Sequence, residues 1–222
     1  MQTFATPAPV SVVLDVPAGH IRFIAADRDD TRVEVLPVDA SKSRDVKAAE
    51  QTTVEYVKGV LRIGRSPAKN RLFGSSGFVE VTVQLPAGSR VEAKTASAEL
   101  RGVGRLGDVT YEGAHGSVKL DETAGARLTL QAGDISVGRL GGPAEISTQK
   151  GDIRIAEAMQ GTVVLRAEAG ELSVGAARGV SASLDAGTGY GRIHNSLMNA
   201  DGVAALQIQA TTSYGNITAR SL

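Results

Sequence analysis

The chain has 222 residues, 42% of them hydrophobic, so it is long and apolar enough to bury a core and is not intrinsically disordered. Its 24 Lys and Arg offset 24 Asp and Glu, which removes any basic surplus toward nucleic acid or acidic lipid and any solvating acidic tail. Zero Cys excludes disulfides, thiolate metal sites and a cysteine nucleophile, and 4% aromatic content without Trp leaves little material for a base-stacking or sugar-binding cleft.

In chain order, the start from Met1 to Val16 has no basic region, and Asp15 interrupts its apolar stretch, so it does not read as a secretory signal. No run approaches the roughly 18 apolar residues of a membrane helix, and the default expectation is a soluble cytoplasmic protein without a membrane span. Alternation of period two then predicts strands at 10–16, 21–24, 31–35, 54–57, 60–63 and 78–85. Pro17 to Gly19, Arg28 to Asp30, Lys58 with Gly59, and Pro86 to Gly88 supply the turns between them. Only Ser41 to Gln51 has helix-forming content, and with a single branched apolar residue it is expected to be a short helix with no face to bury.

Composition changes near residue 88: six of the seven prolines precede it, whereas 20 of the 26 glycines follow it. Beyond it the chain repeats a small, polar, apolar triplet at Ala98, Gly116, Gly133, Gly151, Gly170, Gly191 and Gly215, with spacings of 18, 17, 18, 19, 21 and 24. Alternating apolar residues flank the best copies, as with Leu128 and Leu130 before Gly133, and Ile135 and Val137 after it. Each copy is thus two short strands bent at a glycine, and such a pair is marginal alone in water. Stacking the copies as coils of a solenoid buries their apolar sides, with Ile135, Ile153 and Leu172 in one internal ladder. Equal coil lengths are needed there, because a one-residue slip turns the inward set outward. Leu130→Ala and Ile153→Ala are expected to destabilise such a core, and Asp152→Ala to change little.

The predicted architecture is therefore all-β: a single-stranded β-helix, or β-solenoid, of about seven short coils over 89–222, with a strand-rich N-terminal cap over 1–88. Gly-Asp and Gly-Ser also suit two-residue hairpin loops, so an antiparallel hairpin meander or sandwich is the alternative. The longer last repeats, with Thr188 to Tyr190 and Thr212 to Tyr214 ahead of the turn, predict a widening corner on the binding face.

The copies at Gly133 to Val137 and Gly151 to Ile155, the segment Val79 to Val91, and the opening Leu14 to Phe23 resemble the bacterial β-strand-repeat proteins grouped as adhesin-like, the DUF4097 family. The resemblance covers nearly the whole chain. It implies a right-handed β-helix-like fold and no catalytic residues to carry over.

Asp108, Asp134, Asp152 and Glu171 recur at the turns and could line an edge for Ca²⁺, but the Gly-Gly-x-Gly-x-Asp nonapeptide of calcium β-rolls is absent, and Ser117, Arg192 and Asn216 fill the position elsewhere. They read as turn residues that satisfy local amides. His20, His115 and His194 have no metal-type spacing and read as exposed turn residues. Arg65, Lys69 and Arg71 precede a glycine-serine turn that could present amides to phosphate, but the Gly-Lys-Ser/Thr ending is missing and a connector is favoured. Tyr190 and Tyr214 occupy equivalent places and should lie near each other, with corner packing favoured over ligand stacking. These two tyrosines and the three cations are the candidate interaction residues.

No residue set points to a cofactor, a metal or catalysis. The expected function is a non-enzymatic structural or interaction module, contacting a protein or a surface polymer, but not nucleic acid, through its strand face or C-terminal corner. Its oligomeric state is open. Two other classes stay in view: a polysaccharide-acting enzyme using Asp134, Asp152 and Glu171 across a groove, and a cytoplasmic regulatory partner recoverable by pull-down.

Overall fold

A computed structural model describes residues 1–65, 77–199 and 202–222. The N-terminal part runs through β1 (Gln2–Ala5), β2 (Ser11–Asp15), β3 (Ala18–Ala26), β4 (Asp30–Pro37), a short helix α1 (Ser43–Glu50), β5 (Thr52–Val57), β6 (Val60–Arg65), β7 (Val79–Pro86) and β8 (Arg90–Lys94). The repeats follow as β9 (Ser97–Ala132), a long strand bent at its own corners, then β10 (Ile135–Leu140), β11 (Ala144–Lys150), β12 (Ile153–Ala158), β13 (Gly161–Ala169), β14 (Leu172–Ala176), β15 (Ala182–Tyr190), β16 (Ile193–Ser196), β17 (Leu206–Tyr214) and β18 (Ile217–Ser221).

The repeats stack as coils. Each coil contributes one strand ahead of its corner glycine to a leading wall and one strand after it to a trailing wall. Both walls are parallel: β10 pairs with β12 and β11 with β13, so the strands flanking Gly133 and Gly151 bond to neighbouring coils and not to each other. This is the solenoid, and the hairpin meander is excluded. On the trailing wall Val118, Ile135, Ile153, Leu172 and Ile217 stand in register. On the leading wall Leu128, Ile146, Leu165 and Ala210 do the same. All nine point inward and are buried, because alternation in a strand sends every second side chain to the same face.

Spatial order departs from chain order at two places. The coil of β2 and β3 lies between β8 with β9 on one side and β6 with β7 on the other, so the segment up to Gly88 and the repeats share one core. Near the other end, the coil of β17 and β18 inserts between β13 with β14 and β15 with β16. This corrects the expectation of a widening corner. The corners at Gly191 and Gly215 stack in register, with Tyr190 opposite Tyr214 and Ile193 opposite Ile217. Added residues lie at the opposite turns, among them 177–181, 197–199 and 202–205, where the chain steps over one coil and back. Skipping a coil means spanning about 9.6 Å in place of about 4.8 Å, which two residues cannot bridge while also reversing.

The two ends differ. At the first, β4 pairs antiparallel with β7 and β1 with β4 on the trailing wall, while β5 pairs antiparallel with β6 on the leading wall. Lys58 and Gly59, at φ +49° and +82°, form the two-residue hairpin turn between β5 and β6. Phe4 and Tyr56 close over this end with ring centroids 5.4 Å apart. Helix α1 does have an inner face, contrary to expectation: Asp45 and Ala48 are buried, and the Asp45 carboxylate accepts the Phe78 N–H at 3.0 Å, which satisfies a polar group in place of aliphatic packing. At the second end, among the described residues, the coil of β15 and β16 has a neighbour on one side only. Ile193 is 45% exposed there, whereas its partner Ile217 is 1% exposed.

Candidate functional site

The corner residues form a column along the trailing wall whose chemistry is coil-to-coil. Asp134 Oδ1 accepts the Asp152 N–H at 2.9 Å, and Asp152 Oδ1 accepts the Glu171 N–H at 2.8 Å. Asn216 donates to Glu171 at 3.2 Å and accepts the Arg192 N–H at 2.9 Å. The expectation that these side chains satisfy amides of their own turn is thereby corrected: the amide served belongs to the next coil. A strand turning outward at its corner leaves that N–H without a ladder partner, and a short carboxylate one coil below reaches it. Because the bond is exposed, Asp152→Ala should cost about 1 kcal/mol, read as a lower urea midpoint.

The histidines are exposed but sit in strands. His20 in β3 places Nδ1 3.3 Å from Glu99. Among the described residues no three His, Asp or Glu side chains form a metal-binding group. Arg65 ends β6, and Lys69 and Arg71 lie outside the described residues. Tyr190 and Tyr214 do meet, stacked with ring centroids 5.1 Å apart and planes 3° from parallel. They are not packed in the corner: 71% of Tyr190 and 59% of Tyr214 is exposed.

A groove that the sequence reading did not locate lies on the outer face of the leading wall. It encloses about 570 Å³ and crosses five coils, from Arg90 and Glu92 in β8, past Asp108, Thr110 and Arg127 in β9 and Glu145 in β11, to Thr162 and Val164 in β13. Five strands at about 4.8 Å make it roughly 20 Å long, running along the solenoid axis. Its hollow has a local cause: Gly125 stands between Asp108 and Pro143, where a Cβ would come within 2.9 Å of the Asp108 carboxylate and 3.3 Å of the Pro143 carbonyl oxygen. The charged lining residues form ion pairs, Arg90 with Asp108 at 3.0 Å and Arg127 with Glu145 at 3.8 Å, and Glu145 also meets Arg166, outside the groove lining, at 3.1 Å. In solvent such pairs add little stability, so both charges stay available to a ligand. The signal in the sequence is the outward residue of each leading strand, one per coil and about 18 residues apart.

Asp134, Asp152 and Glu171 do not line this groove; its carboxylates are Glu92, Asp108 and Glu145. Asp108 and Glu145 each pair with an arginine.

Among the described residues no helix is long and apolar enough to cross a membrane. None of the curated proteins matches the chain. Among solved structures, the chain is similar to a candidate adhesin from Parabacteroides distasonis ATCC 8503 at 16% identity and a TM-score of 0.50, covering 98% of this chain and 95% of that one. It is also similar to a candidate lipid-binding protein from the same organism, at 12% identity and a TM-score of 0.49, with 98% and 95% covered. A candidate cell adhesion protein from Clostridium sporogenes ATCC 15579 aligns over 100% of this chain and 98% of its own, at 11% identity and a TM-score of 0.40. At the first of these values the likeness is one of fold. The profile of the family described as Toastrack DUF4097 matches residues 11–221, and the chain belongs to that family.

Proposed function

We propose that the chain is a non-enzymatic interaction module whose leading wall receives an extended polymer, a polypeptide or a surface polymer, along its axial groove. The observation that carries this reading is the groove itself: five coils long, rimmed by both charges and floored by short side chains. A long shallow trough crossing strands suits a chain-like partner, while a small substrate is better held by an enclosed pocket that covers most of its surface. Mixed rim charges favour orientation and rate of association over raw affinity.

The test is retention of the purified protein on immobilised bacterial surface polysaccharide and on a surface-protein array, beside the double variant Arg90→Glu, Arg127→Glu. Reversing two rim charges should weaken retention by about tenfold or more with an unchanged melting temperature. Equal retention of variant and parent counts against the groove. Release of new reducing ends or cleaved peptide, lost on Glu92→Gln or Glu145→Gln, would make the chain an enzyme.

A further inference from the structure

The chain has four Tyr and no Trp, and two of those tyrosines stand exposed and face to face at one corner. Other large aromatic side chains, such as Phe23 and Tyr111, are fully buried. The corner column reads Ala132, Lys150, Ala169, Tyr214 and Tyr190 from coil to coil, so the rings enter only at the last two. Strand register places them: Tyr190 pairs with Tyr214 in the parallel ladder, and the Gly215 N–H donates to the Tyr190 carbonyl at 2.9 Å. Tyr214 covers one face of the Tyr190 ring. Among the described residues no strand pairs with β15 on its far side, and the other face of the ring is exposed.

Among the described residues, the neighbours of the ring in the chain leave it open. Gly189 and Gly191 flank Tyr190, and Thr188 turns its hydroxyl to the Gly215 carbonyl at 2.9 Å. Arg192, two residues on, is exposed and makes no ion pair among the described residues. Two stacked rings on adjacent strands lose little freedom when a third flat group lands on them, because the platform is already ordered. A flat, electron-rich face beside a hydrogen-bond donor matches the C–H face and hydroxyl rim of a sugar ring. Nucleic-acid bases would also stack, but they bring phosphates, and the chain has no net positive charge to neutralise them.

We propose that the outer face of Tyr190, backed by Tyr214 and edged by Arg192, is a stacking platform for a pyranose ring of a neutral oligosaccharide. The site stands on the exposed ring pair and does not depend on the groove of the leading wall.

The experiment titrates the full chain with neutral hexasaccharides of β-1,4-linked glucose, β-1,4-linked N-acetylglucosamine and α-1,6-linked mannose. Binding is followed by tyrosine fluorescence, which no Trp obscures, and by NMR shifts of residues 188–192 and 213–216. At least one saccharide should perturb these residues with millimolar affinity or better. Tyr190→Ala should weaken that binding about tenfold or more, Tyr190→Phe should restore it, and Arg127→Glu should leave it unchanged. Absence of any shift at about 10 mM of every saccharide overturns the proposal. Equal affinity of Tyr190→Ala and parent does the same. So does a response of the corner to Tyr- or Pro-containing peptides alone, or to protein concentration alone, which would assign the ring to a protein partner or a second copy.

Discussion

Gly151→Ala is expected to cost about 3 kcal/mol or more and to lower the urea midpoint accordingly. Gly151 sits at φ +140°, a conformation L side chains rarely adopt, and a Cβ there would collide with the carbonyl of Gly133 in the adjacent coil. The obstacle is backbone, so no rotamer change relieves it. Moving the coils apart strains the Gly133 N–H bond to Lys150 O at 2.8 Å and the Asp152 N–H bond to Asp134 at 2.9 Å. Gly187→Ala is the control: that glycine is exposed, nothing lies within 4 Å of its Cβ position, and its stability should change by about 0.5 kcal/mol or less. If both variants melt with the parent, close approach of the coils at the corner is not what holds them in register.

Ile153→Ala comes next, with an expected loss of about 2 to 5 kcal/mol. Ile153 is fully buried between Ile135 below and Leu172 above, so truncation opens a cavity walled by side chains that the parallel ladder holds in place. In a stack each coil contacts its neighbours only, and a weak central coil weakens two interfaces at once. The equivalent change at the open end, Ile193→Ala, should cost less than half as much, because Ile193 is already 45% exposed. Equal losses at the two positions, measured by urea denaturation, would mean that the interior is not one continuous column.

Much of the scaffold was legible before any coordinates. The recurrence of Gly133-Asp134-Ile135 and Gly151-Asp152-Ile153 at 18 residues, with apolar alternation on both sides, favoured stacked coils over hairpins, and Ile135 pairs with Ile153. The meeting of Tyr190 and Tyr214 followed from the same period; their exposure did not, because a sequence shows which positions coincide and not whether anything covers them. The partner of Asp152 was hidden for a related reason. An amide 19 residues away is as close as a local one once the coils stack, and spacing alone cannot choose between them. The groove was hidden because it is made of five outward residues on five coils, each unremarkable in its own strand.

By itself the sequence determined that this chain folds into strands, that they bend at glycines, and that the repeats are near enough in length to stack, while the parallel pairing of the coils excluded the hairpin alternative. Only the tertiary structure decided the order of the last coils. Strands β15 and β17 are both nine residues long and both lead to a corner glycine, so either could locally have followed β13. What separates them is the interior column of the trailing wall, where Val174 is followed by Ala219 and then by Asn195. Placed between two coils, Asn195 would be stripped of water at a cost of about 1 to 3 kcal/mol. At the open end it stays exposed and accepts the Leu197 N–H at 3.0 Å, while Leu206, Ile208, Ile217 and Ala219 fill the buried position. Both coils share the order of strand, glycine corner and strand, and the difference between Ala219 and Asn195 counts only when a second neighbour removes the solvent.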